Sequence, residues 1–249
     1  MQSLSGKRAV VVGVAGAYAA ATVRALQAQG AAVAIVDSSE KALRELAGRA
    51  AAEISLTCDG SEAGVAGAIA ELDNRGHGID ILVTCPPPLT ETSGPVDVRL
   101  THTTTLEPAF LWTVAAARFM RPRHAGVIVH VTGLSGLGGW RGWDATGAAF
   151  AAIHNMTRSF ALDLAADGLR VNVLVPGVSE ALAEHIARSS GQSLEAVRTR
   201  IPLGRFMSDE AFGNALVYLV HSSSSYVTGE MLTVDGGWDT WGRLHAVAS

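Results

Sequence analysis

The sequence predicts an α/β protein built as a doubly wound parallel sheet flanked by helices. Short β-branched runs alternate with longer helical stretches along all 249 residues, which is typical of parallel strands joined by helical crossovers. Several runs are apolar at every position, so we expect helices to cover both faces of those strands. No repeat, linker or change of composition divides the chain, which predicts a single domain over residues 1–249.

The N-terminal half predicts four strands, because four short runs are rich in Val, Ile and Leu. They cover residues 9–12, 33–36, 53–57 and 81–83. Stretches rich in Ala and charged residues predict helices between them over 18–29, 39–49 and 61–75. Asp37 closes the second strand, and the run Pro86-Pro87-Pro88 predicts a rigid turn after the fourth.

The C-terminal half predicts three more strands and longer helices. The strands cover 127–131, 171–175 and 231–234, and Pro176-Gly177 ends the second of them. Two long helices are expected over 101–121 and 144–166, and a further one over 208–221. Residues 180–200 predict a helical excursion outside the sheet.

Composition narrows the class of protein. The formal net charge is −4 and no basic run occurs, so nucleic acid is not an expected partner. No stretch of about 18 apolar residues is present, so we expect no transmembrane helix. The two cysteines, Cys58 and Cys85, lie far apart and predict reduced thiols in a cytoplasmic protein, with Cys85 a small buried thiol and not a nucleophile. We expect no metal site.

Several motifs of the C-terminal half carry a resemblance. They are Gly168-Leu169-Arg170-Val171-Asn172-Val173, the following Pro176-Gly177, Ile201-Pro202-Leu203-Gly204-Arg205-Phe206, Val227-Thr228-Gly229 and Val234-Asp235-Gly236-Gly237-Trp238. With these motifs the chain resembles the short-chain dehydrogenase/reductase family over nearly its whole length. The resemblance implies a Rossmann-type sheet and an ancestor that used NAD.

The same resemblance places the family's catalytic residues on other side chains here. Its tyrosine falls on Thr146, its lysine on Phe150, its serine on Gly133 and its asparagine on or near Thr105. An aliphatic hydroxyl does not ionise near neutral pH, and neither glycine nor phenylalanine can move a proton. We therefore expect no catalytic group at these four positions.

The cofactor-binding turn of the family is also changed. Gly13 remains, but Ala17 and Ala19 stand at the other two glycine positions, and Gly16 restores the turn only if the loop is shifted by one residue. The side chains expected at the adenosine end are the ribose-binding acid Asp37 and the adenine-contacting Asp59 or, one residue earlier, Cys58.

The loop after the fourth strand reads Thr84-Cys85-Pro86-Pro87 instead of Asn-Asn-Ala-Gly, and Ala181 replaces the family's nicotinamide-holding threonine. We expect Gly13, Gly16, Asp37 and Asp59 to be vestigial, and this chain to bind no cofactor itself.

The hypothesis that follows is a non-catalytic subunit of an NAD-dependent, hetero-oligomeric dehydrogenase. The expected partner is an active paralogue that holds NAD, contacted through helices 101–121 and 144–166 and through region 208–249. The complex would oxidise a 2-[hydroxy(phenyl)methyl]succinyl-CoA-type hydroxyacyl-CoA in anaerobic toluene degradation. Two alternatives remain open: an oxidoreductase with rewired acid and base groups, for which Asp144 and His154 are the candidates, and a module that senses a small molecule in the emptied pocket.

Overall fold

The computed structural model describes residues 3–50, 52–87 and 98–241. Its strands are β1 (Arg8–Val12), β2 (Ala32–Asp37), β3 (Ile54–Thr57), β4 (Ile81–Thr84), β5 (Gly126–Val131), β6 (Leu169–Pro176) and β7 (Met231–Val234). They form one sheet in the order β3-β2-β1-β4-β5-β6-β7, and every neighbouring pair is parallel. The predicted fold class is confirmed, and the predicted strand bounds agree to within two residues.

The helices of the described residues connect and flank these strands. They are α1 (Ala19–Ala28), α2 (Glu40–Ala47), α3 (Glu62–Asn74), α4 (Val98–Thr101), α5 (Glu107–Met120), α6 (Asp144–Ala165), α7 (Glu180–Ser190), α8 (Leu194–Thr199), α9 (Asp209–Val220) and α10 (Trp238–Trp241). Serine side chains accept hydrogen bonds from backbone N–H groups at the start of α2, α3, α7, α8 and α9. These caps explain why the helices begin where they do.

Two apolar layers cover the sheet. Alternate side chains of each strand point to opposite faces, so Val11 packs with α1, α2 and α9, whereas Val10 packs with α3, α5 and α6. All the residues of β4 and most of β1, β2 and β6 are buried, as both-sided coverage requires.

The order in which strands are added to the sheet reverses at β1. This strand pairs with β2 on one side and with β4 on the other. At such a switch point the crossovers leave in opposite directions, and a crevice opens outside the carboxyl ends of the strands. Helices that follow parallel strands begin at this same edge, so the first turns of α1, α6 and α7 lie near the crevice.

Two helices differ from their predicted course. The stretch predicted over 101–121 begins at Val98, and a π-helical segment, His102–Leu106, joins α4 to α5. The stretch predicted over 180–200 is two helices, because Gly191 adopts a left-handed conformation with φ of +69° after α7 and Ser193 caps α8.

Within the described ranges, no helix has the length and apolar character that crossing a membrane requires. The same residues contain no group of three or more His, Cys, Asp or Glu side chains placed to hold a metal ion.

Candidate functional site

A cavity of about 260 Å³ lies at the carboxyl edge of the sheet, at the switch point. It extends from Asp37 at the end of β2, past Thr84 at the end of β4, to Ile153 on α6. Gly13, Cys58, Asp59, Thr105 and Trp112 also line it. Ligand pockets commonly measure about 300–1,000 Å³, so this cavity has room for part of a dinucleotide.

Asp37 is held in place by two backbone donors. The Ala15 N–H donates to Oδ2 at 3.0 Å and the Ser39 N–H donates to Oδ1 at 2.7 Å. The residue is only 9% exposed, yet it lines the cavity. A carboxylate has about four acceptor positions, so each oxygen keeps a lone pair for a ligand hydroxyl.

The turn after β1 presses against the loop after β4. Gly13 has φ of +84°, and a side chain there would collide with the Cys85 carbonyl. A side chain at Gly16 would collide with the Pro86 carbonyl. Both glycines are therefore needed for the close approach of the two loops, and they leave the cavity open on the side of Asp37.

Asp59 and Cys58, the two candidates for the predicted adenine contact, both line the cavity. Asp59 is exposed, and its Oδ1 accepts from the Ser61 hydroxyl at 2.7 Å and the Ser61 N–H at 2.9 Å. The Ser61 hydroxyl is the main reason why the pKa of Asp59 is lowered. Burial raises the pKa of Cys58, so the acid and not the thiol is the charged group here.

A buried hydrogen-bond chain lies behind Thr84 and Ala109, which both line the cavity. The Thr113 hydroxyl donates to the Ala109 carbonyl at 2.7 Å, so its oxygen accepts from His130 Nε2 at 3.2 Å. His130 Nδ1 then accepts from the Thr84 hydroxyl at 2.8 Å. Burial lowers the pKa of His130 to about 4, which keeps the ring neutral, as this assignment requires.

This hydrogen-bond chain determines what the Thr84 hydroxyl can offer to a ligand at the cavity wall. Because the Thr84 proton is directed to His130, only the lone pairs of Thr84 are left to face a ligand. Thr84 can therefore only accept a hydrogen bond in the cavity. The sequence analysis did not identify His130, whose neighbours on β4 and α5 are far away in the chain.

Thr105 lies in the π-helical segment, at the position of the family's asparagine. It is 7% exposed, it lines the cavity, and among the described residues its hydroxyl has no hydrogen-bond partner. π-helical segments occur frequently at functional sites. The hydroxyl is free to donate to a ligand or to accept from one.

The corner where the family keeps its lysine and serine is filled by an aromatic ring. Phe150 is buried and packs with Ala109 and Ile153. A Cβ atom at Gly133 would lie 2.9 Å from its Cε2, and one at Gly136 would lie 2.6 Å from its Cβ. Gly133 and Phe150 are thus a matched pair, in which the missing serine side chain makes room for the ring.

The structure does not bring Asp144 and His154 together. Both lie on α6, ten residues apart, which corresponds to about 15 Å along the helix axis. Asp144 is exposed, while the buried His154 shares a hydrogen bond of 2.9 Å between its Nε2 and the Thr132 hydroxyl oxygen. Burial lowers the pKa of His154 to about 4, so this pair does not supply the rewired acid and base.

Tyr18, the residue that precedes α1, packs against α9. Its ring stacks on Phe212 with centroids 5.1 Å apart, and its hydroxyl donates to the Gly177 carbonyl at 3.3 Å. Burial raises its pKa to about 12. The prediction of Cys85 as a buried thiol is confirmed, since burial also raises its pKa to about 12.

Three tryptophans gather next to the first turn of α6, where Thr146 stands at the family's tyrosine position. Trp140 lies 6.1 Å from Trp143 and 5.7 Å from Trp238, measured between ring centroids. Trp143 in turn contacts His185 on α7, at 5.5 Å and nearly perpendicular. The guanidinium of Arg200 lies 4.3 Å from the centroid of Trp238. Sequence reasoning missed this cluster, because its members come from segments that are far apart in the chain.

The comparisons with known proteins show the family of this chain. The chain matches the family model described as enoyl-(acyl carrier protein) reductase over residues 13–239. It is 32% identical over 242 residues to an uncharacterised short-chain type dehydrogenase/reductase of Sinorhizobium fredii, a match that covers 94% of this chain and 44% of that relative. The chain therefore spans less than half the length of that protein.

Two further matches extend along almost the whole of both chains. The cis-4-hydroxycyclohexanecarboxylate dehydrogenase of Sinomonas cyclohexanicum is 32% identical over 249 residues, 95% of this chain and 98% of the relative. The crystal structure of a gluconate 5-dehydrogenase from Burkholderia cenocepacia, in complex with NADP and tartrate, is 28% identical with a TM-score of 0.84. That match covers 96% of this chain and 97% of the other.

These matches correct one hypothesis. The prediction of a non-catalytic subunit is wrong, because the proteins that match are dehydrogenases and reductases named for their reactions. None of these is a non-catalytic subunit or an enzyme of anaerobic toluene degradation. The absence of family side chains at Thr105, Gly133, Thr146 and Phe150 removes one set of proton-transfer groups, but it leaves the cavity and Asp37 in place.

Proposed function

Because this chain belongs to the short-chain dehydrogenase/reductase family, we propose that it is a divergent oxidoreductase that interconverts an alcohol and a carbonyl compound with a nicotinamide dinucleotide. The observation that carries the proposal is the cavity that runs from the buried Asp37 to α6. The cavity connects Asp37, which suits a ribose diol, with Ile153 on α6. This is the helix that carries the positions of the family's tyrosine and lysine. The chain keeps this connection although the family's tyrosine and lysine are absent.

The residues present fit the adenosine half of such a cofactor. Asp37 has a free lone pair on each oxygen for the ribose hydroxyls, and Gly13 lines the same cavity. Farther in, Thr84 would accept a hydrogen bond and Thr105 would donate or accept one. When bound, the nicotinamide ring would supply the hydride.

The other half of the dinucleotide is held differently from the family pattern. Phe150 offers no charge to the nicotinamide ribose, and Ala181 is exposed and carries no hydroxyl. The expectation from the sequence, that this chain binds no cofactor, stays a prediction. The cavity favours the opposite result, with most of the binding energy coming from the adenosine side.

A cyclic alcohol is the substrate class that the relatives suggest. The dehydrogenase of Sinomonas cyclohexanicum is named for a hydroxycyclohexanecarboxylate, and its match covers 95% of this chain and 98% of that protein. Aromatic side chains next to Thr146 provide flat apolar surface on which a saturated or unsaturated ring can pack. We therefore propose cyclic ketones and alcohols as the first substrates to test.

Calorimetric titration of the purified chain with NADH and NADPH tests the cofactor part of this proposal. We expect NADH to bind and NADPH to bind at least about tenfold more weakly, since a 2′-phosphate would lie against the Asp37 carboxylate. Asp37→Asn should reduce that preference, because it removes the charge. Asp73→Asn, a change of the same kind on the exposed end of α3, should leave it unaltered. If neither nucleotide binds, the proposal is wrong.

A further inference from the structure

The cavity offers two threonine hydroxyls at some distance from Asp37. Asp37 ends β2, and the register places its neighbour Val36 beside Val12 on β1. Val12 in turn pairs with Thr84 on β4. Adjacent strands lie about 4.8 Å apart, so Thr84 lies about 10 Å from Asp37 along the edge of the sheet. Thr105 lines the same cavity from the π-helical segment, so a ligand held by Asp37 can reach both threonines with a second group.

Most hydroxyl protons around this second group are already used. The Thr103 hydroxyl donates to backbone carbonyls of the preceding turn at 3.1 Å, and the Thr104 hydroxyl does so at 2.8 Å. The Thr84 hydroxyl donates to His130 Nδ1. Of the threonines that line the described cavity, Thr105 alone keeps a free proton. A group that binds there must therefore donate to Thr84 and can accept from Thr105, which suits two neighbouring hydroxyls.

Charge separates a sugar from a phosphate at this position. No Lys, Arg or His is found among the described side chains that line the cavity. Phe150, at the position of the family's lysine, packs behind Ala109 and Ile153, which form part of the wall. A buried anion needs a charge partner or several donors, whereas the threonine wall presents mainly lone pairs. A neutral, hydroxyl-bearing group fits this wall better than a phosphate.

We infer that Thr84 and Thr105 hold the hydroxyls of the second ribose of the dinucleotide, the one that carries the nicotinamide. One ribose hydroxyl donates to the Thr84 oxygen, and the other pairs with the Thr105 hydroxyl. A diphosphate separates the two riboses of a dinucleotide, as strand β1 separates Asp37 from Thr84. The inference rests on the proposed function, and it assigns to these threonines the ribose contact that Phe150 cannot make.

His130 is the positioning residue of this arrangement. Its Nε2 is held by Thr113 at 3.2 Å and its Nδ1 by Thr84 at 2.8 Å. Because burial keeps the ring neutral, Nδ1 continues to accept the Thr84 proton, and the lone pairs of Thr84 stay available to the ligand. Without an acceptor at position 130 the Thr84 hydroxyl could rotate, and its preference for a donating ligand group would be lost.

Calorimetric titration with ADP and ADP-ribose tests the inference without turnover, because the two probes differ in the second ribose. Thr84→Val should raise the dissociation constant of ADP-ribose about tenfold, the loss of one hydrogen bond, and leave that of ADP unchanged. Thr84→Ser keeps the hydroxyl and should bind ADP-ribose like the parent. Thr132→Val is the matched control, since it removes a buried hydroxyl that pairs with His154 instead, and it should alter neither constant. An unchanged ADP-ribose constant in Thr84→Val would overturn the inference.

Two further variants test the same ribose contact from other sides. Thr105→Val should weaken the binding of ADP-ribose and spare ADP, which keeps the inference testable if Thr84→Val does not fold. His130→Leu should also weaken ADP-ribose selectively, whereas a merely structural role would weaken both probes alike. A parent chain that binds ADP as tightly as ADP-ribose would overturn this inference and leave the proposed cofactor in place. A parent chain that binds neither probe, nor NADH, would overturn the proposed function as well.

Discussion

The departures from the family at single residues are coordinated. Gly133 and Phe150 replace a serine and a lysine, and the ring of Phe150 occupies the space that a side chain at Gly133 would need. Gly136 is enclosed in the same way, because a side chain there would collide with Phe150 and His154. Such mutual fit means that the corner is well packed in its new form, and that the family side chain cannot be restored at one position alone.

The pairing of Gly133 with Phe150 can be measured by stability. Gly133→Ala should lower the free energy of unfolding by about 1–3 kcal/mol, because the added methyl group would lie within 2.9 Å of the ring. In a Phe150→Leu background the same change should cost less. Gly138→Ala in the same loop is the control, since open space surrounds that position. Equal losses at both glycines in urea unfolding would contradict the account.

At the residue scale, the sequence identified the family positions that are changed, but not the contacts that the new side chains make. Thr105, Gly133, Thr146 and Phe150 follow from motif spacing alone. The contact between His185 and Trp143 could not be found in this way, because it joins two segments that are far apart in the chain. The pairing of Asp144 with His154 failed for a simpler reason, since ten residues on one helix are too far apart to touch.

At the scale of elements, local patterns predicted the strands well and the helix interruptions poorly. The π-helical segment His102–Leu106 has no separate signal, since a run of threonines with one leucine fits an α-helix as well. It nevertheless bears on the site, because Thr105, which lies in this segment, lines the cavity. The break after α7 did have a signal in Gly191, followed by the capping Ser193.

The buried hydrogen bonds of His130, which join β5 to Thr84 on β4 and to Thr113 on α5, predict how stability depends on pH. The pKa of His130 is about 4 in the folded chain and about 6.5 when unfolded, so the unfolded chain binds more protons between these values. The free energy of unfolding should therefore fall as pH decreases from about 6.5 to 4, by up to about 1.4 kcal/mol per pH unit for each such histidine. His154 contributes in the same direction.

Urea unfolding at several pH values checks this linkage. His130→Asn should be less stable than the parent at pH 7, because the contacts with Thr84 and Thr113 are weakened. Its stability should also fall less steeply with decreasing pH, by about one bound proton. Parallel pH profiles for parent and variant would show that His130 is not neutral in the folded chain.

On the scale of the whole molecule, exposed apolar side chains lie on the two helices that are predicted to contact another chain. Phe110 on α5 and Leu162 on α6 are 47% and 82% exposed, and the Phe110 ring lies 5.4 Å from that of Phe160. The contact with an active paralogue through helices 101–121 and 144–166 and region 208–249 stays a prediction. Residues 242–249 of that region lie outside the described residues.

Association can be measured by analytical ultracentrifugation. We expect the parent chain to sediment as an oligomer and Leu162→Asp to sediment with a smaller mass, because the charge would have to be buried in the contact. Leu203→Asp changes a leucine that is 66% exposed outside these helices, and it should leave the mass unaltered. A parent chain that is monomeric at high concentration would rule the contact out.

We propose that this chain performs hydride transfer without the family's tyrosine and lysine. The most direct measurement incubates the purified chain with 4-oxocyclohexanecarboxylate and NADH that carries deuterium at C4 of the nicotinamide, followed by mass spectrometry of the alcohol. The account predicts that deuterium appears on the carbon bearing the new hydroxyl group, and that Asp37→Asn slows its appearance. If a preparation free of other reductases leaves every member of a panel of cyclic ketones unreduced, this proposal is wrong.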